Sequence, residues 1–351
     1  MRAPEAAVIG WDIGGAHLKA CRLERGVVVD VGLWACALWQ GLERLDAAFA
    51  LAAARWPDLR SARHAVTMTG EMADLFDDRE QGVHRIAGRT ALALGDALHF
   101  FAGDAGWCAP GAVGAVWSDI ASANWLASAR LAAHRVGDGM LVDVGSTTSD
   151  VVALKGGRVA TSSRSDADRL ASGELLYHGV VRTPLCAFAR RIAFRGASRN
   201  VMNEFFASAA DVYRLTGELD AAQDLHPSAD GAAKDLDATR RRLARMIGLD
   251  ARDATAADWL AFARAWRAEQ LALLRDAITR VASAQGVAAT APLIAAGCGS
   301  FLVADIAAAS GRPLRAYPEI CADAELARRA QVCAPSVAVA RLLHEQQPAG
   351  R

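Results

Sequence analysis

The sequence lacks an excess of charge of either sign, since its 351 residues carry 39 Lys and Arg against 39 Asp and Glu. Binding to nucleic acid or to a membrane surface through bulk charge is therefore excluded, and we expect small molecules or other proteins as partners. Lysine is scarce as well: Lys19, Lys155 and Lys234 are the only lysines. Each of them is therefore a candidate for a specific role.

Paired cysteines are also absent. The seven cysteines never form a Cys-x-x-Cys pair, a pattern that favours neither a disulfide framework nor a zinc knuckle. Free thiols in a reducing compartment are expected, and the segment Met1 to Ala7 lacks the features of a secretory signal, so we expect a cytoplasmic protein. The cysteines are Cys21, Cys36, Cys108, Cys186, Cys298, Cys321 and Cys333.

An uncharged run from Val281 to Ala304 is long enough to cross a bilayer, but glycine, proline, glutamine and serine interrupt it. We therefore expect no membrane span. The pattern predicts a strand at Pro292 to Ala296, a turn and a helix from Phe301 to Ala309. The N-terminus of that helix would point at the turn and form a third position for an anion or a nucleotide ribose. The turn consists of Gly297, Cys298, Gly299 and Ser300.

Hydrophobic residues make up 53% of the sequence, and its length of 351 residues is enough for about two domains. The sequence also contains an internal repeat. Residues 12–28 align without a gap on residues 143–159. In each copy an apolar run ends at an aspartate, Asp12 or Asp143, and a turn of small or hydroxylated residues leads into a second strand. Such turns bring backbone N–H groups and hydroxyls close to phosphate oxygens. The turn residues are Gly14, Gly15 and Ala16 in the first copy and Gly145, Ser146, Thr147 and Thr148 in the second.

Two such turns facing each other would clamp a diphosphate or triphosphate. Asp12 and Asp143 suit a hydrated Mg²⁺, which takes one or two carboxylates together with substrate phosphates. The alternative is that Asp and Gly are simply the residues that hairpin turns use. The gapless second copy makes that alternative the weaker one.

We predict an α/β fold of two lobes with mixed sheets and a cleft between them. The first lobe covers residues 1–136, and the second covers 137–323 with a helical insertion at about 184–286. A C-terminal helix at 324–346 returns to the first lobe. Smaller helices are predicted at Leu42–Trp56, Leu126–Arg135 and Val201–Thr216, and Thr255 with Asp258 is predicted to cap a further helix.

These features resemble the actin, Hsp70 and sugar-kinase superfamily, which has a ribonuclease H-like fold. The segment Ser172 to Pro184 resembles its hydantoinase A and oxoprolinase branch. Within that branch, the run Asp12 to Ala16, the pair Asn203-Glu204 and the run His226 to Gly231 are similar to a small group linked to the tetrahydromethanopterin one-carbon pathway. The resemblance spans essentially the whole chain.

The archaeal members of this group are methanofuran-biosynthesis synthases, so the resemblance implies a transferase. It would join (5-aminomethyl-furan-3-yl)methyl diphosphate to the phenol oxygen of a tyrosine, tyramine or glutamylated acceptor and release diphosphate. The product is the aryl ether of methanofuran or methylofuran. Mg²⁺ is the expected cofactor. ATP is the alternative occupant and is not favoured.

Two departures from the family pattern bear on that choice. Hydantoinase-type proteins commonly have Asp-x-Gly-Gly-Thr at the first turn, where this chain has Ala16 followed by His17, so one hydroxyl ligand for phosphate is missing. The late turn reads Gly297-Cys298-Gly299 in place of a paired glycine. Both departures favour a diphosphate substrate over ATP.

Charge neutralisation and a base are the two needs of the implied reaction. Lys19 and Arg182, the latter followed by Thr183, are candidates for phosphate contact, and surface positions are the alternative for both basic residues. Asp150 follows the second phosphate turn, where related proteins often place an acid near the cation.

The acceptor and the furan amine need further groups. Asn203, Glu204 and Asp211 are candidates for binding the amine or a metal, against a solvated acidic stripe. His226, with Asp230 in the same loop, is the candidate base, and a structural histidine is the alternative.

Two rival functions stay open, an ATP-dependent hydantoinase or kinase and a non-catalytic nucleotide-switched regulator. The partners expected are the furan diphosphate and the phenolic acceptor, without nucleic acid or membrane, and a homodimer is left open.

Overall fold

The computed structural model describes residues 6–317 and 324–346 of the chain. Fourteen strands are present in this part, in two large sheets and one hairpin. In chain order, the strands β1 to β14 are Val8–Ile13, His17–Glu24, Val27–Ala35, Arg63–Met68, Leu98–Phe101, Trp107–Cys108, Gly139–Val144, Ser149–Lys155, Arg158–Val159, Leu175–Leu176, Arg191–Phe194, Ala197–Asn200, Leu293–Ala296 and Leu314–Ala316. The α-helices α1 to α11 are Glu43–Arg55, Arg79–Leu94, Trp117–Ile120, Asn124–Val136, Asp166–Ser172, Ala209–Thr216, Leu236–Arg245, Ala256–Gln285, Ser300–Ser310, Ala324–Val332 and Ala334–Glu345.

The first lobe is built on a six-stranded mixed sheet in the order β3-β2-β1-β4-β5-β6. The strands β1, β2 and β3 form an antiparallel meander, and β4 joins β1 in parallel. All six residues of β1 are buried, as expected for a central strand that is covered on both faces. One face carries a core that contains Trp11 and Trp56 beneath α1 and α2.

The second lobe repeats this beginning. Its sheet has the order β10-β8-β7-β13-β14, with β9 paired to β8. The strands β7 and β8 are antiparallel neighbours, and β13 joins β7 in parallel, as β4 joins β1 in the first lobe. The repeat detected in the sequence is therefore a repeat of structure, and the two-lobed α/β fold is confirmed.

Helices α4 and α11 contribute to one hydrophobic core that takes side chains from both sheets. Helix α11 lies against β1, β2 and β4 of the first lobe. It crosses β1 at Gly10, where a Cβ atom would overlap the carbonyl oxygen of Ser336. The chain therefore needs a glycine at this position to bring its C-terminal helix onto the first sheet.

The insertion in the second lobe combines the β11-β12 hairpin with helices α6, α7 and α8. The thirty-residue helix α8 begins behind Thr255, whose side chain accepts from the Asp258 N–H in the predicted capping box. Its buried face carries Trp259, Phe262 and Trp266, which pack on the hairpin and on each other.

Several predicted elements differ from the structure. The helix predicted at Val201–Thr216 is wrong in its first half, because Ser208 and Asp211 form a capping box that begins α6 only at Ala209. The single C-terminal helix is two helices, which meet at Cys333 just before Pro335. The helices predicted at Leu42–Trp56 and Leu126–Arg135 are confirmed as α1 and α4 with shifted ends.

The described cysteines form no disulfide, and Cys321 lies outside the described residues. Within residues 6–317 and 324–346, none of the helices combines the length and the hydrophobicity needed to cross a bilayer. The uncharged run from Val281 to Ala304 folds as the end of α8, the strand β13 and the start of α9.

Candidate active site in the interlobe cleft

A cleft of about 330 Å³ lies between the lobes, at the ends of β1 and β7 where the two predicted phosphate turns lie. Both turns and both lobes contribute to its wall. The predicted site residues that line it are Asp12, Gly14, Gly15, Ala16, Lys19, Gly145, Ser146, Thr147, Thr148, Asp150 and Arg182. Asp12 and Asp150, which are 138 positions apart in the sequence, therefore line the same cavity.

The two turns have the same backbone closure. The Gly14 N–H donates to the His17 carbonyl at 2.9 Å, and the Gly145 N–H donates to the Thr148 carbonyl at 2.9 Å. The N–H groups of Gly15 and Ser146 donate to no backbone acceptor in the described part of the chain. Unused donors on two facing turns form a surface on which anionic oxygens bind.

The register of the hairpins places a different charge at the equivalent position of each copy. Asp12 on β1 pairs with Lys19 on β2, and Asp143 on β7 pairs with Asp150 on β8. Lys19 and Asp150 are therefore equivalent in the repeat but opposite in charge. The cleft is thus built from two similar halves that carry unequal charge.

In the first half, Asp12 and Lys19 form an ion pair. Lys19 Nζ lies 3.6 Å from Asp12 Oδ2, and the Asn124 side-chain amide donates to Asp12 Oδ1 at 3.4 Å. Burial raises the pKa of Asp12 in spite of these partners. Burial also opposes the charge of Lys19, but the surrounding groups, Asp12 first among them, outweigh it, and the pKa of Lys19 is raised.

In the second half, Asp150 pairs with a buried arginine. Arg169 NH2 lies 2.8 Å from Asp150 Oδ1, and the guanidinium of Arg169 lies 4.0 Å from the ring centre of Trp125. Burial raises the pKa of Asp150, which Arg169 opposes. No Lys or Arg of the described residues forms an ion pair with Asp143, and burial together with Asp150 raises its pKa to about 7.

This charge balance fits a divalent cation. Asp12 and Asp150 line the cleft with their partners Lys19 and Arg169, whereas Asp143 is not part of its wall but is close enough to raise the pKa of Lys19. The pKa of each of the three carboxyls is raised. A diphosphate would add more negative charge. The described residues contain no cluster of three or more His, Cys, Asp and Glu side chains that would enclose a metal. An open pair of carboxylates is the arrangement that a hydrated Mg²⁺ uses when phosphates supply the other ligands.

A cationic and aromatic surface forms another part of the cleft wall. The guanidinium of Arg182 lies 4.6 Å from the ring centre of Trp39, and both side chains line the cleft together with Tyr177. No carboxylate of the described residues forms an ion pair with Arg182, and burial lowers its pKa. A guanidinium without an anionic partner is available to a phosphate or a phenolate.

Thr183 has a structural role beside this surface. Its Oγ1 atom accepts from the Gly179 N–H at 2.8 Å, and the Gly179 carbonyl accepts from buried Gln270 at 3.2 Å. A Cβ atom at position 179 would overlap the Gly145 carbonyl oxygen. Thr183 and Gln270 therefore hold a glycine against the second phosphate turn.

The third glycine turn lies beside Asp143 but does not line the described cleft wall. Gly297 has a φ of +79°, and a Cβ atom there would overlap the Val144 carbonyl oxygen and Asp143 Oδ1. Gly299 packs on Val144 in the same way, and Ser300 begins α9. The predicted strand, turn and helix are confirmed, and their visible role is to pack against the end of β7.

Asn203, Glu204, Asp211 and Asp230 are further predicted site residues that do not line the cleft. Asn203 and Glu204 are exposed in the irregular segment before α6. Asp211 is 1% exposed and bonds Arg214 and Arg242, so it is not on the surface of an acidic stripe. Asp230 also pairs with Arg242, at 3.1 Å. Asp211 and Asp230 thus belong to one buried arginine network.

His226 approaches the cleft from this insertion without lining it. Its Nε2 atom lies 2.9 Å from the Ala16 carbonyl oxygen. Because a carbonyl only accepts, this nitrogen carries a hydrogen and donates it. His226 therefore ties the insertion of the second lobe to the first phosphate turn.

The sequence analysis missed a carboxylate pair that joins the lobes. The Ser122 hydroxyl lies 2.8 Å from Glu71 Oε1 and 3.0 Å from Asp166 Oδ2. One hydroxyl hydrogen does not satisfy two ionised carboxylates, so the geometry favours a protonated Glu71. Burial, with the charge of Asp166 nearby, raises the pKa of Glu71 to about 7. The local signal in the sequence is the Ser165-x-x-Asp168 capping box, which begins α5 at Asp166 but does not indicate its partner.

The pH dependence of stability is expected to change when Glu71 is replaced. The pKa of Glu71 rises from 4.5 in the unfolded chain to about 7 on folding. The contribution of protonated Glu71 to the free energy of unfolding is therefore complete below about pH 4.5 and is lost as the pH rises through 7. Glu71→Gln keeps a side-chain hydrogen-bond donor for Ser122, as a protonated Glu71 has, and does not ionise. We expect it to raise the melting temperature by several degrees at pH 8 and to leave it unchanged at pH 5.

Glu80→Gln is the matched control, because Glu80 is an exposed glutamate on α2 with a loose contact to His84. Thermal melts of both variants from pH 5 to 8 make the test. Parallel stability curves for wild type and Glu71→Gln would contradict a buried, protonated Glu71.

Two lobes with one phosphate turn at the end of each sheet, and shared helices between them, define the actin, Hsp70 and sugar-kinase class. The chain belongs to the hydantoinase/oxoprolinase family, whose sequence profile matches residues 63–346.

Two archaeal proteins have sequences similar to that of this chain. One is the (4-{4-[2-(gamma-L-glutamylamino)ethyl]phenoxymethyl}furan-2-yl)methanamine synthase of Methanocaldococcus jannaschii, 26% identical over 97% of this chain and 98% of that protein. The protein of the same name from Methanococcus vannielii is 32% identical over 32% of this chain and 50% of that protein.

Solved structures show the same fold. A ROK family glucokinase from Streptomyces griseus superposes with a TM-score of 0.50 at 14% identity and covers 96% of this chain and 99% of its own. Acetone carboxylase superposes with a TM-score of 0.51 at 11% identity, over 84% of this chain and 66% of its own. These structures confirm the predicted fold class, and the sequence profile confirms the predicted hydantoinase branch.

Proposed function

We propose that this chain is an ether-forming transferase of methanofuran-type cofactor biosynthesis. It joins (5-aminomethyl-furan-3-yl)methyl diphosphate to the phenol oxygen of a tyrosine, tyramine or glutamylated acceptor and releases diphosphate. The observation that carries the proposal is the end-to-end match to the Methanocaldococcus jannaschii synthase, whose name describes a phenoxymethyl furan. The charges and the shape of the cleft support it.

The reaction breaks the bond between the furanylmethyl carbon and the diphosphate oxygen, and the electron pair leaves with diphosphate. A bond from the phenol oxygen to that carbon replaces it, and the phenol proton is lost. The electron-rich furan ring stabilises positive charge on the methylene carbon. The protein must therefore stabilise the leaving group, place the phenol and exclude water.

The two phosphate turns are the groups proposed to bind the leaving diphosphate. The N–H groups of Gly15 and Ser146 and the hydroxyls of Thr147 and Thr148 supply donors, and Lys19 supplies positive charge. These interactions strengthen as negative charge accumulates on the diphosphate, which is the requirement for lowering the barrier.

The carboxylates of Asp12 and Asp143 would hold Mg²⁺. When bound, this ion neutralises negative charge on the diphosphate. Without it, the carboxylates of Asp12 and Asp150, both with raised pKa values, would face the substrate's phosphates. We therefore propose that activity depends on the divalent cation.

The amine of the furan is a cation at neutral pH and needs a carboxylate. The positions of Asn203, Glu204 and Asp211 away from the cleft remove the reason to assign them this role. Asp74 and Asp166 line the cleft. We propose these two carboxylates for the amine.

Phosphorus NMR of the purified protein tests the proposal. The reaction contains Mg²⁺, the furan diphosphate and a tyrosine, tyramine or glutamylated acceptor, with and without ATP. Diphosphate release that requires the acceptor and does not require ATP is the expected result, and mass spectrometry identifies the ether. The matched control is an O-methylated acceptor, which fits the same cleft but has no phenol hydroxyl.

Cleavage of ATP without ether formation would contradict the proposal and support the nucleotide-dependent alternative. Release of diphosphate at the same rate with the O-methylated acceptor would show hydrolysis in place of transfer. Omission of Mg²⁺ in the same series tests the cation separately.

A further inference from the structure

His17 presents an unused imidazole nitrogen at the wall of the cleft. The residue is 6% exposed and lines the cavity. Its Nε2 atom is buried and has no hydrogen-bond partner among the residues that the structure describes. A buried polar atom without a partner costs free energy, so a group of the ligand is expected to complete it.

The position of His17 on β2 places it beside the groups proposed to bind the diphosphate. His17 and Lys19 are two residues apart on the strand, separated by Leu18 in the hydrophobic core. Both therefore face the cleft, with Cα atoms about 7 Å apart. Lys19 pairs with Asp12, and His17 directly follows the first phosphate turn, whose Gly14 N–H donates to the His17 carbonyl.

Aromatic and cationic groups surround His17. The ring of His226 stands edge-on to His17 with their centres 4.7 Å apart, and Trp39 lies 5.5 Å from His226. Arg182 lies over Trp39. A phenol ring fits such surroundings, because its face packs on aromatic groups and its oxygen interacts with a cation.

We propose that Nε2 of His17 accepts the phenol proton as the ether forms, an inference that rests on the proposed function. The phenol oxygen bonds to the furanylmethyl carbon, the carbon–diphosphate bond breaks, and the proton passes from oxygen to Nε2. The resulting imidazolium then returns its proton to solvent or to the released diphosphate. This assignment requires the imidazole tautomer with its hydrogen on Nδ1.

The surroundings keep the His17 imidazole neutral, so that it is able to accept a proton. Burial holds the pKa of His17 well below its usual value, and His226, Lys19 and Arg182, the groups that face it, act in the same direction. A weak base is sufficient here, because the phenol proton becomes strongly acidic once the oxygen bonds to carbon. The departing diphosphate then offsets the new positive charge on the ring.

This role distinguishes His17 from His226. The Nε2 of His226 donates to the Ala16 carbonyl, next to His17. His226 is therefore a positioning residue that holds the first turn.

His17→Gln and His17→Ala test the assignment with furan diphosphate and a tyramine acceptor. Ether and the furanylmethyl alcohol formed by water are measured together. We expect kcat for the ether to fall about 10²- to 10³-fold in both variants, with KM for the furan diphosphate nearly unchanged. Free imidazole should restore ether formation in His17→Ala, and it should do so increasingly as the pH rises and imidazole becomes neutral. His84→Gln, at an exposed histidine of α2, is the matched control.

Ether formation in His17→Gln within about threefold of wild type would overturn the assignment. Loss of ether without rescue by imidazole in a folded His17→Ala would also overturn it and leave a packing role. If neither variant folds, single-turnover ether formation by the wild type in D₂O decides: slowing of about twofold or more supports proton transfer in this step, and equal rates overturn it. Absence of ether with the wild type would instead refute the proposed function.

Discussion

Replacement of Lys19 by methionine is expected to lower the rate of ether formation about 10²- to 10³-fold, the usual loss when one charged or hydrogen-bonding group that stabilises a transition state is removed. Lys19 is the cation on the wall beside the first phosphate turn, 3.6 Å from Asp12. Without it, the charge on the departing diphosphate is less well neutralised. The loss should appear in kcat more than in KM, because that charge is greatest in the transition state.

Two further variants make this result specific. Lys155→Met removes an exposed lysine from the end of β8 and should leave the rate unchanged. Lys19→Arg keeps the positive charge and should retain more activity than Lys19→Met. Thermal melts identify any loss of folded protein, since Lys19→Met leaves the Asp12 carboxylate without its ion-pair partner. A rate for Lys19→Met equal to that of Lys155→Met would contradict the role of Lys19.

The central part of the site was predictable because the signal is local and occurs twice. An aspartate at a strand end, a small-residue turn and a second strand determine each hairpin. Lys19 follows Asp12 by seven positions, and Asp150 follows Asp143 by seven. A gapless repeat with this spacing predicts the register as well as the turn. The remaining uncertainty was the ligand, which a phosphate-binding turn does not specify.

Contacts between the lobes could not be predicted in the same way. Ser122 meets Glu71 and Asp166 across sequence separations of 51 and 44 residues. Arg169 meets Trp125 through the packing of α5 against α4. No periodicity or turn signal encodes such pairs, since they depend on how the two sheets and their shared helices pack.

For the acidic residues before and within α6, local spacing led to a wrong prediction. A spacing of seven places Glu204 and Asp211 on one face of a helix only if the helix continues through both. The capping box of Ser208 and Asp211 begins the helix at Ala209 and turns the aspartate toward Arg242. A carboxylate that is part of a cap and of a buried ion pair looks the same in sequence as one that binds a substrate.

Asp211 is accordingly a structural residue with a large expected effect on stability. Its Oδ1 atom accepts from Arg242 at 2.8 Å and from Arg214 at 2.7 Å, and its Oδ2 atom accepts from the Ser208 N–H at 3.0 Å. Asp211 is 1% exposed and Arg242 0%. Removal of the carboxylate leaves a buried guanidinium with less compensation, which costs far more than the loss of an exposed ion pair.

We expect Asp211→Ala to reduce the free energy of unfolding by about 3–5 kcal/mol in urea denaturation. Asp237→Ala is the control, because Asp237 is 79% exposed in its ion pair with Arg240 on α7, and a loss of at most about 1 kcal/mol is expected. Asp211→Asn, which keeps an acceptor for the cap, should fall between them. The folded fraction of Asp211→Ala at low temperature should keep the wild-type KM for the furan diphosphate. An increase in that KM with little change in stability would instead support binding of the substrate amine, because a carboxylate that binds a ligand is not needed for the fold.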